Sequence, residues 1–345
     1  MKIVDFSTIT KKVNVNEFIK NDTERSLVIY SITSVKKNNL FMDNPNYDYY
    51  STLEVTKKKV NIDNLFSSLD NYKKIISIGG GTATDIGKYL SFKFNIRLIS
   101  IPTMLSTNAY ATCKVALINN GRVESLDAVT PSEIYIDSKI LVNSTENNLY
   151  GLVDIFSIYT ALRDWDLAIN NNGEDKNSEY DSAMDLLNST IEYTFTKSCT
   201  EIVNDVDFIY KIIGTSGLIT NRYGSGKPES GSEHIFAKAL EKEVSIPHAV
   251  SVTNGIILMI LSQNIINNSE ELSDSDLKVI SILKKLNMFD LNLKYNISFE
   301  LISQVYLNLT PRIDRYSIVD LIYNNQDIKM QVLSKYKEIM KGFLK

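Results

Sequence analysis

Among its 345 residues the chain has two histidines, two cysteines, six prolines and one tryptophan, and each scarcity carries information. Cys113 and Cys199 are too few for a disulfide framework or a cysteine-rich metal site, and they suit a reducing compartment. Few prolines leave room for long helices. No block of Lys or Arg stands out and the formal net charge is -4, so the basic footprint of nucleic-acid binding is missing. The first ten residues lack a basic segment followed by an apolar run, so no secretory signal is expected. The longest apolar stretches, such as Ile256 to Leu261, fall short of the about 20 residues that cross a bilayer. Neither nucleic acid nor membrane is an expected partner, and the expected location is the cytoplasm. The length exceeds what one hydrophobic core usually organises, so two domains are expected.

The two halves follow different patterns. Over residues 1–149 short β-branched or apolar runs alternate with helical spacing. Ser26 to Ile32, Lys74 to Ile78, Arg97 to Ile101 and Glu133 to Ile136 read as strands, with helices at Ile62 to Leu69 and Thr84 to Phe94. Short buried strands separated by helices predict a parallel sheet covered on both faces. Over residues 150–345 strand-like alternation nearly disappears. Helical spacing is read at Val153 to Asn170, Glu179 to Thr196, Ser198 to Ile219, Ile235 to Lys242, Ala249 to Asn267, Asp274 to Leu286, Ser298 to Asn308 and Ile318 to Phe343. The acidic, Asn-rich stretch Asn170 to Asn177 reads as a solvated loop. The predicted fold class is an α/β domain followed by an all-α domain, with a ligand expected in the cleft between them.

Gly79-Gly80-Gly81-Thr82-Ala83-Thr84-Asp85 follows a buried strand and opens a helix. Glycines let the backbone turn tightly and approach a ligand closely, and a helix start offers free N–H groups and a positive dipole end to an anion. The segment is a candidate pyrophosphate cradle, although it is neither GxGxxG nor a Walker loop. A plain structural turn is the alternative. Asp85 either caps the helix or holds a ribose hydroxyl.

The two histidines lie 14 positions apart, His234 after Ser230-Gly-Ser-Glu and His248 after Pro247. A lone histidine is usually a satisfied core or surface residue. Two at neighbouring helix starts, with Ser230 or Ser232 as the first cap, are placed to aim both imidazoles at one point, and imidazole is the commonest protein ligand for zinc and similar ions. Asp154 lies in Gly151-Leu-Val-Asp-Ile-Phe-Ser-Ile-Tyr-Thr-Ala-Leu, which is apolar almost all round its helix and therefore reads as buried. It is either an N-cap or a buried carboxylate that needs a partner. A metal would resolve the second case, leaving coordination positions open in the catalytic manner.

At this point four segments resemble a known family. Gly79 to Tyr89 (GGGTATDIGKY), Pro102 to Tyr110 (PTMLSTNAY), Asp154 to Trp165 (DIFSIYTALRDW) and Gly224 to Leu240 (GSGKPESGSEHIFAKAL) are similar to the sn-glycerol-1-phosphate dehydrogenases. These sit in the superfamily of glycerol dehydrogenases, iron-dependent alcohol dehydrogenases and 3-dehydroquinate synthases. Order and spacing hold over about residues 70 to 260. The resemblance implies a Rossmann-like domain for NAD or NADP and a dehydroquinate synthase-like helical domain for one divalent metal, with zinc expected and iron or nickel also suited. It places Asp154, His234 and His248 on the metal, Gly79, Gly80, Gly81, Thr82 and Asp85 on the dinucleotide, and Thr103, Ser106 and Asn108 along the cofactor and substrate region. A homo-oligomer, a dimer, is the expected assembly.

The chain departs from that pattern in places. Asn108 stands where the family's PTxxSxDxY has Asp, and Lys227-Pro228 where it has Arg-Pro. The segment from His248 to Asn254 is closer to the iron-dependent alcohol dehydrogenases. Lys114 is an added cation. Lys227, Arg222 and Lys114 are the candidates for holding a substrate phosphate, by point charge or bidentate fork. The implied activity is interconversion of a small phosphorylated polyol and its ketone, such as glycerol-1-phosphate and dihydroxyacetone phosphate. In it the metal acts as Lewis acid on the substrate oxygen and hydride passes to or from the nicotinamide. The alternatives are a sugar-phosphate cyclase of the 3-dehydroquinate synthase type, which would show no net nicotinamide absorbance change, and a non-catalytic nucleotide-binding relative.

Overall fold

A computed structural model describes residues 5–269 and 271–343. The chain divides into two compact units, Met1–Gly151 with Val203–Arg222, and Leu152–Ile202 with Tyr223–Lys345. Division at residues 149/150 puts the segment Val203–Arg222 in the helical half, whereas it packs with the first unit.

Among the described residues the first unit has eight strands: β1 (Thr10–Lys12), β2 (Ser26–Tyr30), β3 (Tyr47–Ser51), β4 (Lys74–Gly79), β5 (Arg97–Pro102), β6 (Lys114–Asn119), β7 (Arg122–Asp127) and β8 (Glu133–Ile136). Six of them form one sheet in the order β1-β8-β5-β4-β2-β3, and every pairing in it is parallel. All six residues of β4 are buried, because alternate side chains feed two cores. Ile75 joins Leu27, Ile29, Ile86 and Leu90 on one face. Ile76 and Ile78 join Val28, Ile99, Ile101 and Ile19 on the other. Each such side chain contributes about 2 kcal/mol by leaving water, which explains why these strands read as unbroken apolar runs.

The chain steps from β2 out to β3 at one edge, returns to β4 on the other side of β2, and continues away through β5 and β8. The direction of winding therefore reverses between β2 and β4. Open parallel sheets place ligands at the carboxyl ends of strands at such a reversal, and Gly79 ends β4 there.

Strands β1, β3, β6 and β7 escape the sequence reading. The β6–β7 hairpin carried an overlooked signal. Asn120-Gly121 joins it with φ of 48° and 76°, the two-residue turn whose twist matches the flanking strands.

The second unit is helical. The helix Thr145–Asn172 starts eight residues earlier than predicted, and its residues up to Gly151 belong to the first unit. Ser178–Thr196, Ser232–Glu243, His248–Ile266 and Asp274–Lys285 follow. Two predicted helices are each broken by a capping residue. Asp205 accepts from the Phe208 amide at 3.0 Å and separates Cys199–Asn204 from Val206–Tyr223. Asn325 accepts from the Ile328 amide at 3.1 Å and separates Ile318–Ile322 from Gln326–Phe343. A short polar side chain that bonds its own backbone competes with helix continuation.

The helix His248–Ile266 is buried from Ala249 to Asn264 and forms the centre of this unit. By length and composition it is apolar enough to cross a membrane, which corrects the expectation that no segment is. In this fold 89% of its apolar window is inside the protein, as for the core helix of a packed domain.

Candidate active site

Asp154, His234 and His248 come together in the second unit, with one ligand atom of each within 4.8 Å of the others. Asp154 Oδ1 lies 3.9 Å from His234 Nε2 and 3.7 Å from His248 Nε2. The imidazole centroids are 5.1 Å apart. Local structure explains the convergence. Asp154 sits in the third turn of the helix that starts at Thr145, so it is not an N-cap. His234 is the third residue of its helix and His248 the first of the next. These two helices cross closely at Gly255, where an added Cβ would meet the Glu233 carbonyl oxygen at 2.5 Å.

The hydrogen bonds around the three side chains fix what they offer. His234 Nδ1 bonds Glu233 Oε1 at 2.7 Å, and His248 Nδ1 bonds Glu241 Oε1 at 2.7 Å. An ionised carboxylate only accepts, so each Nδ1 carries the proton and each Nε2 presents a lone pair. Both lone pairs face Asp154, whose Oδ1 has no hydrogen-bond partner and no contact with solvent. Buried polar atoms are seldom left unsatisfied. Two aimed nitrogens, an orphaned carboxylate oxygen and a carboxylate behind each imidazole match the arrangement by which proteins hold a divalent cation.

Electrostatics agree with this geometry. Burial raises the Asp154 carboxyl above its ordinary value, and the two histidines only partly offset it. Burial alone would depress the His248 pKa, but the Glu241 bond and the Asp154 charge carry it above the usual imidazole value. Burial also acts to raise Glu233. Bonds from His234, the Gly231 amide and Thr160 outweigh that and hold it below the usual range. The predicted serine caps are absent: Gly231 is the N-cap and makes no side-chain bond. Asp164 does that work from the neighbouring helix, accepting from the Ser232 amide at 2.6 Å and the Ile318 amide at 2.9 Å. Burial and the Glu233 charge push its carboxyl to about 7.

Glu233, Glu241 and Asp164 were missed in the sequence. Glu241 had a signal, since it lies seven residues after His234 and so on the same helix face.

In the first unit the glycine loop joins β4 to the helix Gly81–Phe94. Gly79 has φ of 154°, and an added Cβ would lie 3.0 Å from both Ser31 Cβ and Ala83 Cβ. Gly80 is the N-cap and no side chain caps it, so the first-turn amides remain available to an anion. Thr82 is exposed on that turn. Asp85 neither caps the helix nor points outward. It is buried, accepts from the Ala116 amide and pairs with Lys57 Nζ at 3.0 Å. Behind it Lys88 is fully buried and donates to the Thr112 and Lys114 carbonyls, and desolvation lowers its pKa to about 8. Thr103 is likewise internal, donating to Ser34 Oγ at 2.9 Å. Ser106 and Asn108 are half-buried, with Asn108 Nδ2 donating to Ser216 Oγ at 3.1 Å.

Both lysines expected at a substrate phosphate are already paired. Lys114 stands opposite Asp127 in the hairpin register and bonds it. Lys227 is buried 5.1 Å from the Trp165 ring and bonds Glu174, an acid from the stretch read as a solvated loop.

Comparison with known proteins places this fold. Residues 38–144 match the family described as iron-containing alcohol dehydrogenase. The fold is that of a probable glycerol dehydrogenase from Sinorhizobium meliloti, with a TM-score of 0.65 over 95% of this chain and 94% of that one, at 14% identity. The class is thus a parallel α/β sheet unit followed by a helical unit, as in the glycerol dehydrogenases and iron-containing alcohol dehydrogenases. Within it, the chain is 29% identical over 212 residues to the glycerol-1-phosphate dehydrogenase (NAD(P)+) of Methanococcus aeolicus, covering 60% of each. It is 33% identical over 175 residues to the enzyme of that name from Sulfolobus acidocaldarius, covering 49% of this chain and 48% of that one. The matched part therefore spans about half to three fifths of these relatives, and the protein the chain resembles is glycerol-1-phosphate dehydrogenase.

Proposed function

We propose that the chain is a metal-dependent, NAD(P)-linked oxidoreductase interconverting a small phosphorylated polyol and its ketone, such as glycerol-1-phosphate and dihydroxyacetone phosphate. One observation carries the reading: Asp154 Oδ1, buried and without a hydrogen bond, faces two histidine nitrogens whose rings are fixed by glutamates. The names of the relatives supply the substrate and the nicotinamide cofactor.

Asp154, His234 and His248 would hold the cation, and zinc suits this donor set, as do iron and nickel. When bound, such an ion supplies Lewis acidity toward an alcohol or carbonyl oxygen. Glu233 and Glu241 hold the Nδ1 side of each ring, leaving Nε2 as the coordinating atom and the imidazoles correctly turned. The Asp154 carboxylate brings a negative charge that a cation neutralises. Gly79, Gly80, Gly81 and Thr82 would meet the dinucleotide's pyrophosphate at the uncapped helix start, with Ser106 and Asn108 toward its reactive end. Asp85 and Thr103 would act from behind, by bracing this loop. The proposed compartment is the cytoplasm, where Cys113 and Cys199 remain free thiols.

A panel of phosphorylated and free ketones, assayed with NADH and NADPH on metal-loaded protein, tests the substrate. Dihydroxyacetone phosphate or a close ketone phosphate should oxidise one nicotinamide stoichiometrically. Ketone phosphate consumption without net absorbance change would instead indicate a cyclase.

A further inference from the structure

The two lysines expected to hold a substrate phosphate are neutralised, yet the second unit contains two other cations beside the candidate metal centre. Lys238 lies one helical turn after His234, and positions i and i+4 share a helix face. Three residues further along that helix, Glu241 bonds His248. Lys238 therefore projects from the same helix face as a proposed metal ligand and as the carboxylate that fixes another. Arg315 reaches the segment from a different direction, donating through Nη1 to the carbonyl of Ser230, just before that helix begins.

Among the described residues neither Lys238 nor Arg315 forms an ion pair with a carboxylate, whereas Asp314 accepts from both Nε and Nη2 of neighbouring Arg312. Arg315 is half-buried and Lys238 exposed, so the guanidinium is the partly desolvated charge, offset by Glu233, Asp314 and Asp164 without direct contact. Partial desolvation and then the charges of Arg312 and Arg315 hold Lys238 below the ordinary lysine value, so the cations feel one another. A guanidinium with one edge committed keeps the rest of its donor fork, and an ammonium beside it adds a compact point charge.

We propose that Lys238 and Arg315 form a subsite for a phosphate monoester dianion next to the Asp154–His234–His248 centre. The inference deepens the reading above and rests on it for the identity of that centre. Two cations with no carboxylate in direct contact suit a dianion better than a carboxylate monoanion, because each added unit of charge is met by its own partner. The phosphate selects the substrate from this side while the three ligand residues address its oxygen. Lys227 and Lys114, tied to Glu174 and Asp127, take no part.

The test uses the metal-loaded full chain. Inorganic phosphate and acetate are titrated calorimetrically into wild type, Lys238→Met, Lys238→Arg and Arg315→Lys, with bound metal measured in each. In parallel, the ratio of kcat/KM for dihydroxyacetone phosphate to that for dihydroxyacetone is compared. Wild type should bind phosphate at least about tenfold more tightly than acetate. Lys238→Met should weaken phosphate by about tenfold or more at equal metal content and lower the substrate ratio by a similar factor, the loss of one charge-assisted contact. Lys238→Arg should retain most of both. Phosphate binding unchanged in Lys238→Met and Arg315→Lys, or absent in wild type, overturns the subsite. If phosphate binding depends on Lys238 but no ketone phosphate is turned over, the subsite stands and the dehydrogenase reading fails. If ketone phosphate is turned over and neither variant alters the ratio, the reading stands and the subsite fails.

Discussion

Asp154 combines two properties that seldom coexist in a residue kept for stability. Its carboxyl is raised by burial, and its inner oxygen has no donor. Without a cation it is a cost to the fold; with one it is a ligand. Asp154→Asn preserves the shape and removes the charge. In chelator-treated protein this variant should be as stable as wild type or more stable by about 1 kcal/mol, as measured by thermal or urea unfolding. With metal supplied the order should reverse, because only wild type gains the binding energy. A variant that is less stable than wild type in chelator would show that Asp154 is structural. The three candidate ligands were legible at this scale because a scarce residue type near punctuation, and an acid in an apolar helix, are both visible in one dimension. Glu233, Glu241 and Asp164 were not, because their roles depend on which side of a helix meets which neighbour. The partners of Lys114 and Lys227 were hidden for the same reason: Asp127 and Glu174 find them through a hairpin register and a folded-back chain end of a helix.

At the scale of elements, close helix crossing sets the site's dimensions. Gly255 allows the helix His248–Ile266 to approach the Glu233 backbone. Gly255→Ala should cost about 2 kcal/mol in unfolding free energy through overpacking, and should lower metal affinity although it touches no ligand. Unchanged stability would mean that the crossing relaxes freely.

In the first unit, the helix Lys59–Leu65 is tied to Gly81–Phe94 by Asp63, which accepts from Lys93, Lys59 and Tyr89. Burial acts to raise this carboxyl, but the three donors outweigh it and lower it to about 2. A depressed carboxyl stabilises the fold above its unfolded value, and that contribution is lost as pH falls from about 4 toward 2. Asp63→Asn should therefore lose about 1 kcal/mol near pH 6, after allowing for solvent screening, and the gap to wild type should close near pH 2. A gap that persists at pH 2 would assign the loss to packing. Buried strands such as β4 were readable because an all-apolar run has few other uses. The β6–β7 hairpin was equally readable from Asn120-Gly121 and was passed over. The breaks at Asp205 and Asn325 were obscured because helical spacing continues in phase across both.

For the whole molecule, the change from strand-rich to helix-rich sequence marked the two units, but chain order misassigned Val203–Arg222. A segment's helical periodicity says nothing about which core its apolar face joins. The account's central claim is that Asp154, His234 and His248 hold a divalent cation on which NAD(P)-linked turnover depends. The most direct measurement is elemental analysis of purified wild type and His234→Ala, combined with nicotinamide oxidation by dihydroxyacetone phosphate before and after chelation. The account predicts about one metal ion per chain in wild type, loss of both metal and turnover in the variant, and restoration of turnover in chelated wild type when zinc or another divalent ion is returned. Full turnover by chelated His234→Ala would contradict it.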